Sequence, residues 1–597
     1  MAIKTLTGNA PVSTPIEKGH FQETGVDRWS FTKRAGALKT EGMLWYPAWR
    51  DLSAYISPTR GFFYETRPNV GKKIDHQVMI DSCPEESVAT LASGMLSGLT
   101  SPSRPWLKLE LDDMDLMKYT PVKLWFDDTE RRLMRVYSGS NVYGSLYSIY
   151  EELGTFGTGC GFLEEDYKDV VRLRVYTAGE YYFGTGPDGR VNAFYRRFWM
   201  TVSQMVNEFG LDNCSPQVQQ AWRNNMPDQW RIVNHLVEEN DGRLNDYKDY
   251  MNMAYRCIYW EDGAMMDSYL RMGGYEEFPI LGPRWSTTTT ADAYGRGPGW
   301  KALGHSRMLQ KMQKDYLIAL SKVIRPPVQV DASVQGEINM AADGVTRFSA
   351  LLPNAGVKPA YEINPDLVAM DNKILRTQQE IQKKFYVDLF LMLADAERTG
   401  RNITAYEIMQ KKAEAVQVLG PVLEKTENEL LNPMNDRTLM IMERNGLLLP
   451  PPKEIQGLEL KFKYISVLAQ AQRMAGIEGL DQWRVSVEQS VQINPDCIDV
   501  INYDALNLEK ADMLGVPVKA VNDADAIAKK REERAAATQK AQSLAASQQM
   551  AAAAKDAGSA AKDLSQAPIG GPPAEDGTGG QTALDALMNV AKTQGGQ

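Results

Sequence analysis

Scarcity is the first feature of this 597-residue chain. Five cysteines, Cys83, Cys160, Cys214, Cys257 and Cys497, are scattered without a C-x-x-C pair. An odd, unpatterned set points to free thiols in a reducing compartment, not to a disulfide framework. Only four histidines occur, His20, His76, His235 and His305, and none is spaced to share a metal with a cysteine, so no metal site is expected. The opening MAIKTLTGNAPVSTP lacks the apolar stretch of a signal peptide. No apolar run approaches the ~20 residues of a bilayer span. Among the greasiest windows is VDLFLMLADA at 387–396, and it carries two aspartates. The expectation is a soluble protein, made in a cytoplasm and without membrane contact.

Catalytic signatures are also missing. GTFGTGCGF (154–162) is the most phosphate-loop-like text, yet it lacks the Gly-Lys-Ser/Thr ending whose lysine reaches the phosphates. GRGPGWKALGH (295–305) is equally weak, its Pro298 fitting a loop that approaches a helix. Both read as turns. Nothing matches G-x-S-x-G or H-E-x-x-H. Paired carboxylates such as Glu151-Glu152 and Glu164-Glu165 read as surface acids. No catalytic residue and no cofactor is assigned.

What is present is the composition of a folded protein, 43% hydrophobic and 24% charged, enough for several cores. The chain is acidic, with 66 basic and 76 acidic side chains and a net charge of -10, which argues against a general nucleic-acid coat. Against that background SRMLQKMQKDYLIALSKVIRPPVQV, 306–330, stands out. Met308, Met312, Tyr316, Ala319 and Val323 recur every three or four residues as an apolar stripe, while Arg307, Lys311, Lys314 and Lys322 form a basic one. Pro326-Pro327 ends the helix.

Before it, PEESVATLASGMLSGL (84–99) predicts a helix, WLKLEL a strand, and 155–200 and 253–285 several strands, so the first ~285 residues read as α+β. After it comes an insert of about forty residues, then a second amphipathic helix. Asn364 and Pro365 are expected to open that helix. Its apolar positions are Ile374, Ile381, Phe385 and Leu389, and its polar face holds Lys373, Arg376, Lys383 and Lys384. A polar loop with Arg398 and Arg401 follows, then a capping box at Thr404–Glu407. Bends are expected at Gly420-Pro421 and Asn432-Pro433, and a stop at Gly446. Beyond 504 the text is Ala- and Gln-rich with strong helix propensity, and from 556 it reads as a flexible tail.

Four stretches in this order carry a resemblance: LASGMLSGLTSPSRPWLKLEL (91–111), AYGRGPGWKALGHSRMLQKMQKDYLIALSKVIRPPVQV (293–330), RTGRNITAYEIMQKKAE (398–414) and LGPVLEKTENELLNPMNDRTLMIMERNGLLLPPP (419–452). Together they resemble the head-to-tail connector, or portal, proteins of short-tailed double-stranded DNA bacteriophages, over roughly residues 25–535. The resemblance implies an α+β portal fold assembled as a ring of twelve. It implies an N-terminal arm (1–25), an α/β wing (26–295), stem helix 1 (296–323), a small α/β clip (324–364) and stem helix 2 (365–387). A tunnel loop (388–403), wing and crown helices (404–505), a crown or barrel helix (506–555) and the tail (556–597) complete it.

The implied function is non-enzymatic: a channel at one capsid vertex for packaging, retention and ejection of double-stranded DNA without sequence specificity. Implied partners are terminase, major capsid and scaffolding proteins, and tail adaptor proteins. For DNA contact the candidates are Arg398 and Arg401, then Lys383, Lys384, Lys311 and Lys314. For stem packing they are Met308, Met312, Tyr316, Ile374, Ile381 and Phe385. The rival readings are another structural virion protein, such as a tail or internal ejection protein, and an enzyme with a cryptic carboxylate pair.

Overall fold

The computed structural model describes residues 28–63, 79–113, 116–243, 252–265, 268–325, 328–330, 357–359, 366–391, 419–464, 479–489, 502–513 and 524–566. It divides into two units, residues 1–514 and 515–597. In the second unit the described part is one exposed helix, Ala524–Gln566. Residues 556–566, expected as tail, continue this helix, as an alanine-rich sequence without proline can. In the first unit, the helices Arg28–Met43 (α1) and Tyr46–Tyr55 (α2) pack on an antiparallel sheet of five strands. These are Tyr181–Thr185 (β4), Val191–Thr201 (β5), Trp230–Glu239 (β6), Tyr255–Glu261 (β7) and Arg271–Tyr275 (β8), neighbours in chain order.

Aromatic side chains fill the space between these layers. Trp49, Tyr181, Phe183, Phe194 and Tyr294 are all buried, and Trp49 meets Tyr294 edge-on with centroids 5.0 Å apart. The sequence reading anticipated β4, β5 and β7 but not β6 or β8. Nor did it anticipate the helical pair Val202–Phe209 and Pro216–Arg223 inserted between β5 and β6. That pair has its own small core of Val202, Met205, Phe209 and Val218, and opens on a capping box between Thr201 and Gln204.

A second core lies under Cys83–Leu99 (α3), Thr120–Gly139 (α4) and Val142–Thr155 (α5). There Cys160–Asp166 (β2) pairs with Val170–Tyr176 (β3) and with Ile280–Leu281 (β9), all antiparallel. Strand Leu107–Glu110 (β1), expected from WLKLEL, finds its partner more than 350 residues on, in register Leu107↔Tyr464 to Glu110↔Lys461.

Asn432–Arg444 (α10) closes this core with Met434, Ile441 and Met442. Where a bend was expected at Asn432-Pro433, the chain forms a π-turn over Glu427–Leu431. Proline lacks the N–H that would continue the α ladder, and the wider turn absorbs the break. Gly446 (φ +65°) ends α10: its N–H donates to Glu443 O and that of Leu447 to Met442 O, the paired bonds of a Schellman stop.

Two buried ion pairs bind this region together. Arg284 donates to Glu429 through its backbone N–H (2.9 Å), Nε (3.1 Å) and Nη2 (2.5 Å), with its other donors on Gly189 O and Asp292 O. Arg437 donates to Leu163 O and to Glu277, whose carboxylate also takes Arg444.

The two glycine-rich stretches turn out to be halves of one clasp. Gly157 sits at φ +86°, and a Cβ there would lie 2.3 Å from Gly297 N; one on Gly299 would lie 2.2 Å from Thr155 O. Trp285 N–H donates to Gly157 O, Gly295 N–H to Thr158 Oγ1, and Trp300 Nε1 to Phe156 O. Backbone packed on backbone leaves no cradle for a phosphate, which accords with their reading as turns. The clasp fixes the start of the next helix.

Candidate functional site

Helix Pro298–Ile324 (α8) leaves the clasp with proline in its first turn and runs 27 residues, about 40 Å. Leu367–Lys384 (α9) packs against it. The expected opening of α9 needs correction: Asp366 is the cap, its side chain accepting from Ala369 N–H at 2.9 Å, and the helix begins at Leu367. Asn364 and Pro365 lie outside the described residues. Between the helices, Val328–Val330 pairs antiparallel with Val357–Pro359.

The root of the pair is held by polar groups. Gln310 accepts from Ile80 N–H (2.6 Å) and Asp81 N–H (2.9 Å) and donates to Asp81 O (2.8 Å). Gln313 from α8 and Gln378 from α9 both donate to Asp81 Oδ2 at 2.8 Å. Asp81 Oδ1 accepts Cys83 N–H at the start of α3. One carboxylate thus ties three helices, with every named acceptor filled. Nearby, Arg307 pairs with Asp51 on α2 and lies over the Tyr55 ring.

The seam between the helices departs from the expected stripe. Ala302, Ser306 and Leu309 are buried on α8, with Met312 and Tyr316 partly buried; Ile374, Thr377 and Ile381 are buried on α9, and Phe385 just beyond its end. Met308 and Val323, read as stripe members, are 38% and 46% exposed. Leu309, which the reading missed, is fully buried. The buried face is rotated about 100° from the methionines, one residue along the helix, because small Ala302 and Ser306 let the root pack closely. The recurrence of Ala302, Ser306, Leu309, Gln313 and Tyr316 was the available signal.

Lys311 and Lys314 are exposed on the side of α8 turned away from the seam. Lys383 is exposed on the far side of α9, with Lys384 half-buried beside it. The two basic faces therefore point in opposite directions across a layer two helices thick. They cannot both line one surface. Arg398, Arg401 and the Thr404–Glu407 capping box lie outside the described residues.

The end of α9 is sharply defined. Tyr386 adopts φ +57°, unusual for an aromatic residue, and stacks on Trp285. The chain turns helical again over 387–391, so the first residues of the expected loop are helical. Phe390 fills a notch on α3 that exists only because residue 94 is glycine. Gly94, Met95, Leu99, Trp285, Phe390, Leu419, Val422 and Leu423 enclose a cavity of only about 10 Å³. The chain before 392 and the chain after 418 thus share one apolar seat.

The titratable groups elsewhere are walled into cores. Burial pushes Glu152 up to about 7, partly offset by Arg60 and by hydrogen bonds from Thr177 and Ala178. Burial holds His235 well below its ordinary value, with Arg196, Arg271 and Arg174 adding to the effect, and its ring stacks on Tyr259 at 3.9 Å. Among the described residues no cluster of His, Cys, Asp and Glu could hold a metal, and no helix is long and apolar enough to cross a membrane.

The family model of bacteriophage head to tail connecting proteins matches residues 29–521. A portal protein of Salmonella phage epsilon15 is 37% identical over 561 residues, covering 94% of this chain and 97% of its own. A probable portal protein of Bordetella phage BPP-1 is 36% identical over 520 residues, covering 87% and 93%. Among solved structures, the neck of an empty GTA particle aligns at 13% identity over 71% of this chain and 93% of its own, with a TM-score of 0.30, too low to argue from.

Proposed function

The chain belongs to the bacteriophage head to tail connecting proteins, and from that premise we propose how its parts serve a phage portal. A portal is a structural component of the virion, not an enzyme; its copies form a ring in the neck and connect head to tail. The observation that carries this reading is the match to portal relatives over nearly the whole of both chains. A tail or internal ejection protein is not favoured by those relatives.

In our reading, α1–α5, the helical pair Val202–Phe209 and Pro216–Arg223, and strands β1–β9 form the wing, α8 and α9 the stem, the β pair between them part of the clip, and Ala524–Gln566 a crown or barrel helix. Twelve copies surround the channel at one capsid vertex, assembled in the host cytoplasm around scaffolding and major capsid proteins. Terminase docks there during packaging, and tail adaptors afterwards.

Physical chemistry supports a passive conduit. Duplex DNA carries one charge per ~1.7 Å, so an all-basic lumen would hold it fast. Twelve copies at -10 each sum to about -120, which opposes sticking at long range while local basic rings relieve it. Arg398 and Arg401 are the first candidates for such a ring. Because the stem's basic faces oppose each other, either Lys311 and Lys314 or Lys383, with Lys384 beside it, supplies a second.

Negative-stain imaging of the purified chain tests the reading. A ring with a central hole near twelvefold symmetry is expected; discrete small particles would overturn it.

A further inference from the structure

The α8–α9 layer has two edges, one on either side of its seam, and they differ in shape. At about 100° per residue, Met308 and Met312 fall to one side of the line through Leu309 and Tyr316 on α8, and Leu317 to the other. On α9, which returns antiparallel, Met370 and Lys373 share the methionine edge while Val368, Asp371 and Leu375 share the other. The methionine edge is concave: Met312, Ala369, Met370, Lys373 and Ile374 line an open groove of about 270 Å³. The opposite edge is a ridge of aliphatic side chains, with Leu317 50% and Val368 72% exposed.

Groove and ridge lie at the same height. Met312 meets Met370 and Ile374 in the groove, so the antiparallel run brings Leu317 level with Val368. Charge matches as well as shape. Lys373 stands on the groove edge and Asp371 on the ridge edge, both exposed and neither in an ion pair among the described residues.

We infer that the Leu317/Val368 ridge of one copy seats in the Met312/Met370 groove of the next, with Asp371 of the first meeting Lys373 of the second. The inference rests on the portal reading and deepens it by assigning the edges that touch. Two different edges in contact make a head-to-tail interface, the kind that closes into a ring when the rotation per copy allows. A second copy is the occupant because this chain carries both complementary halves at one level; another partner would have to supply a ridge for the groove and a groove for the ridge. Unbranched methionine is suited to accept the ridge, since its side chain adapts to irregular surfaces. With both edges covered by neighbours, the basic faces of α8 and α9 point along the radius, one inward and one outward.

Two experiments on the full chain test this. In the first, Leu317→Cys and Met370→Cys are made singly and together in a Cys497→Ser background and oxidised, with that background alone as the blank, because the other four cysteines, Cys83, Cys160, Cys214 and Cys257, are buried. The double variant should give a ladder of linked species up to the ring, while each single variant stays unlinked. Linking in the single variants as strong as in the double means like edges meet and overturns the inference. So does the absence of a ladder when imaging shows rings. Wild-type chains that form no ring sink the portal reading itself.

In the second, Asp371→Lys and Lys373→Glu are purified separately and mixed. Each alone places like charges at every contact and should lower assembly roughly two- to fivefold per contact. The mixture can alternate, so that every contact pairs opposite charges, and should recover wild-type assembly. Unimpaired single variants, or a mixture no better than its components, would overturn the pairing.

Discussion

Gly94 lies in the middle of α3, where alanine is ordinarily about 1 kcal/mol better than glycine. Here that gain should be overridden. A Cβ on Gly94 would stand 2.1 Å from Phe390 Cδ1 and 2.2 Å from Cγ, so the ring must move. It has nowhere to go, since the surrounding cavity is about 10 Å³. Overpacking costs roughly 1–3 kcal/mol, and expelling a buried phenylalanine forfeits about 1.5–3 kcal/mol. Against the gain in propensity, Gly94→Ala should destabilise by about 0.5–2 kcal/mol. Phe390→Ala should cost about 3–4 kcal/mol through the cavity it leaves. In the double variant the new methyl enters the vacated space, so its cost should fall below the sum by roughly 1–2 kcal/mol. Denaturant unfolding followed by tryptophan fluorescence is the assay, helped by Trp285 in the same cavity wall. Gly36→Ala is the control: its Cβ meets nothing within 4 Å, and it should stabilise by about 0.5–1 kcal/mol. If Gly94→Ala behaves like Gly36→Ala, or if the two costs simply add, the ring is not seated as described.

Glu429→Ala strands the buried Arg284 guanidinium and should cost about 3–5 kcal/mol, read as a drop in Tm; a loss below 1 kcal/mol would show that the pair does not hold the π-turn in place. Burial pushes Glu130 from its ordinary 4.5 up to about 7, against a hydrogen bond from Leu109 N–H. The folded state then keeps its proton longer than the unfolded chain, so this group lowers stability as pH rises from about 4.5 to about 7. Glu130→Gln should flatten that limb of the Tm–pH curve, and an unchanged slope would refute the assignment. Arg398→Ala with Arg401→Ala should leave the ring intact while impairing DNA packaging or retention; normal packaging and retention would remove both residues from the channel contact.

Much of the architecture was legible where local rules decide it. The helix after Pro84, the strand at WLKLEL, the stop at Gly446 and the paired amphipathic helices follow from periodicity, capping and glycine geometry, which act within a few residues. The family was legible too, since four motifs in order are hard to mimic. Less of the site could be read, because its determinants are distant in sequence. The Asp81 joint needs residues from three helices. Phe390 finds Gly94 across 296 positions, and strand β1 finds its partner beyond residue 460. Strands β6 and β8 were missed because their pairing comes from neighbours in the sheet more than from their own alternation.

The basic stripes show the division most clearly. Sequence by itself determined that α8 and α9 are amphipathic, which side chains are basic, and that a helix so patterned must bury one face. It placed that face on Met308 and Met312, because a period of 3.6 residues distinguishes faces only to about 100° and methionine outweighs alanine in any hydrophobic count. Only the tertiary structure decided that the small residues Ala302 and Ser306, with Leu309, make the seam, since close approach of helices rewards fit as well as bulk. That one-residue rotation turned the methionines into an open edge and set the two basic faces back to back.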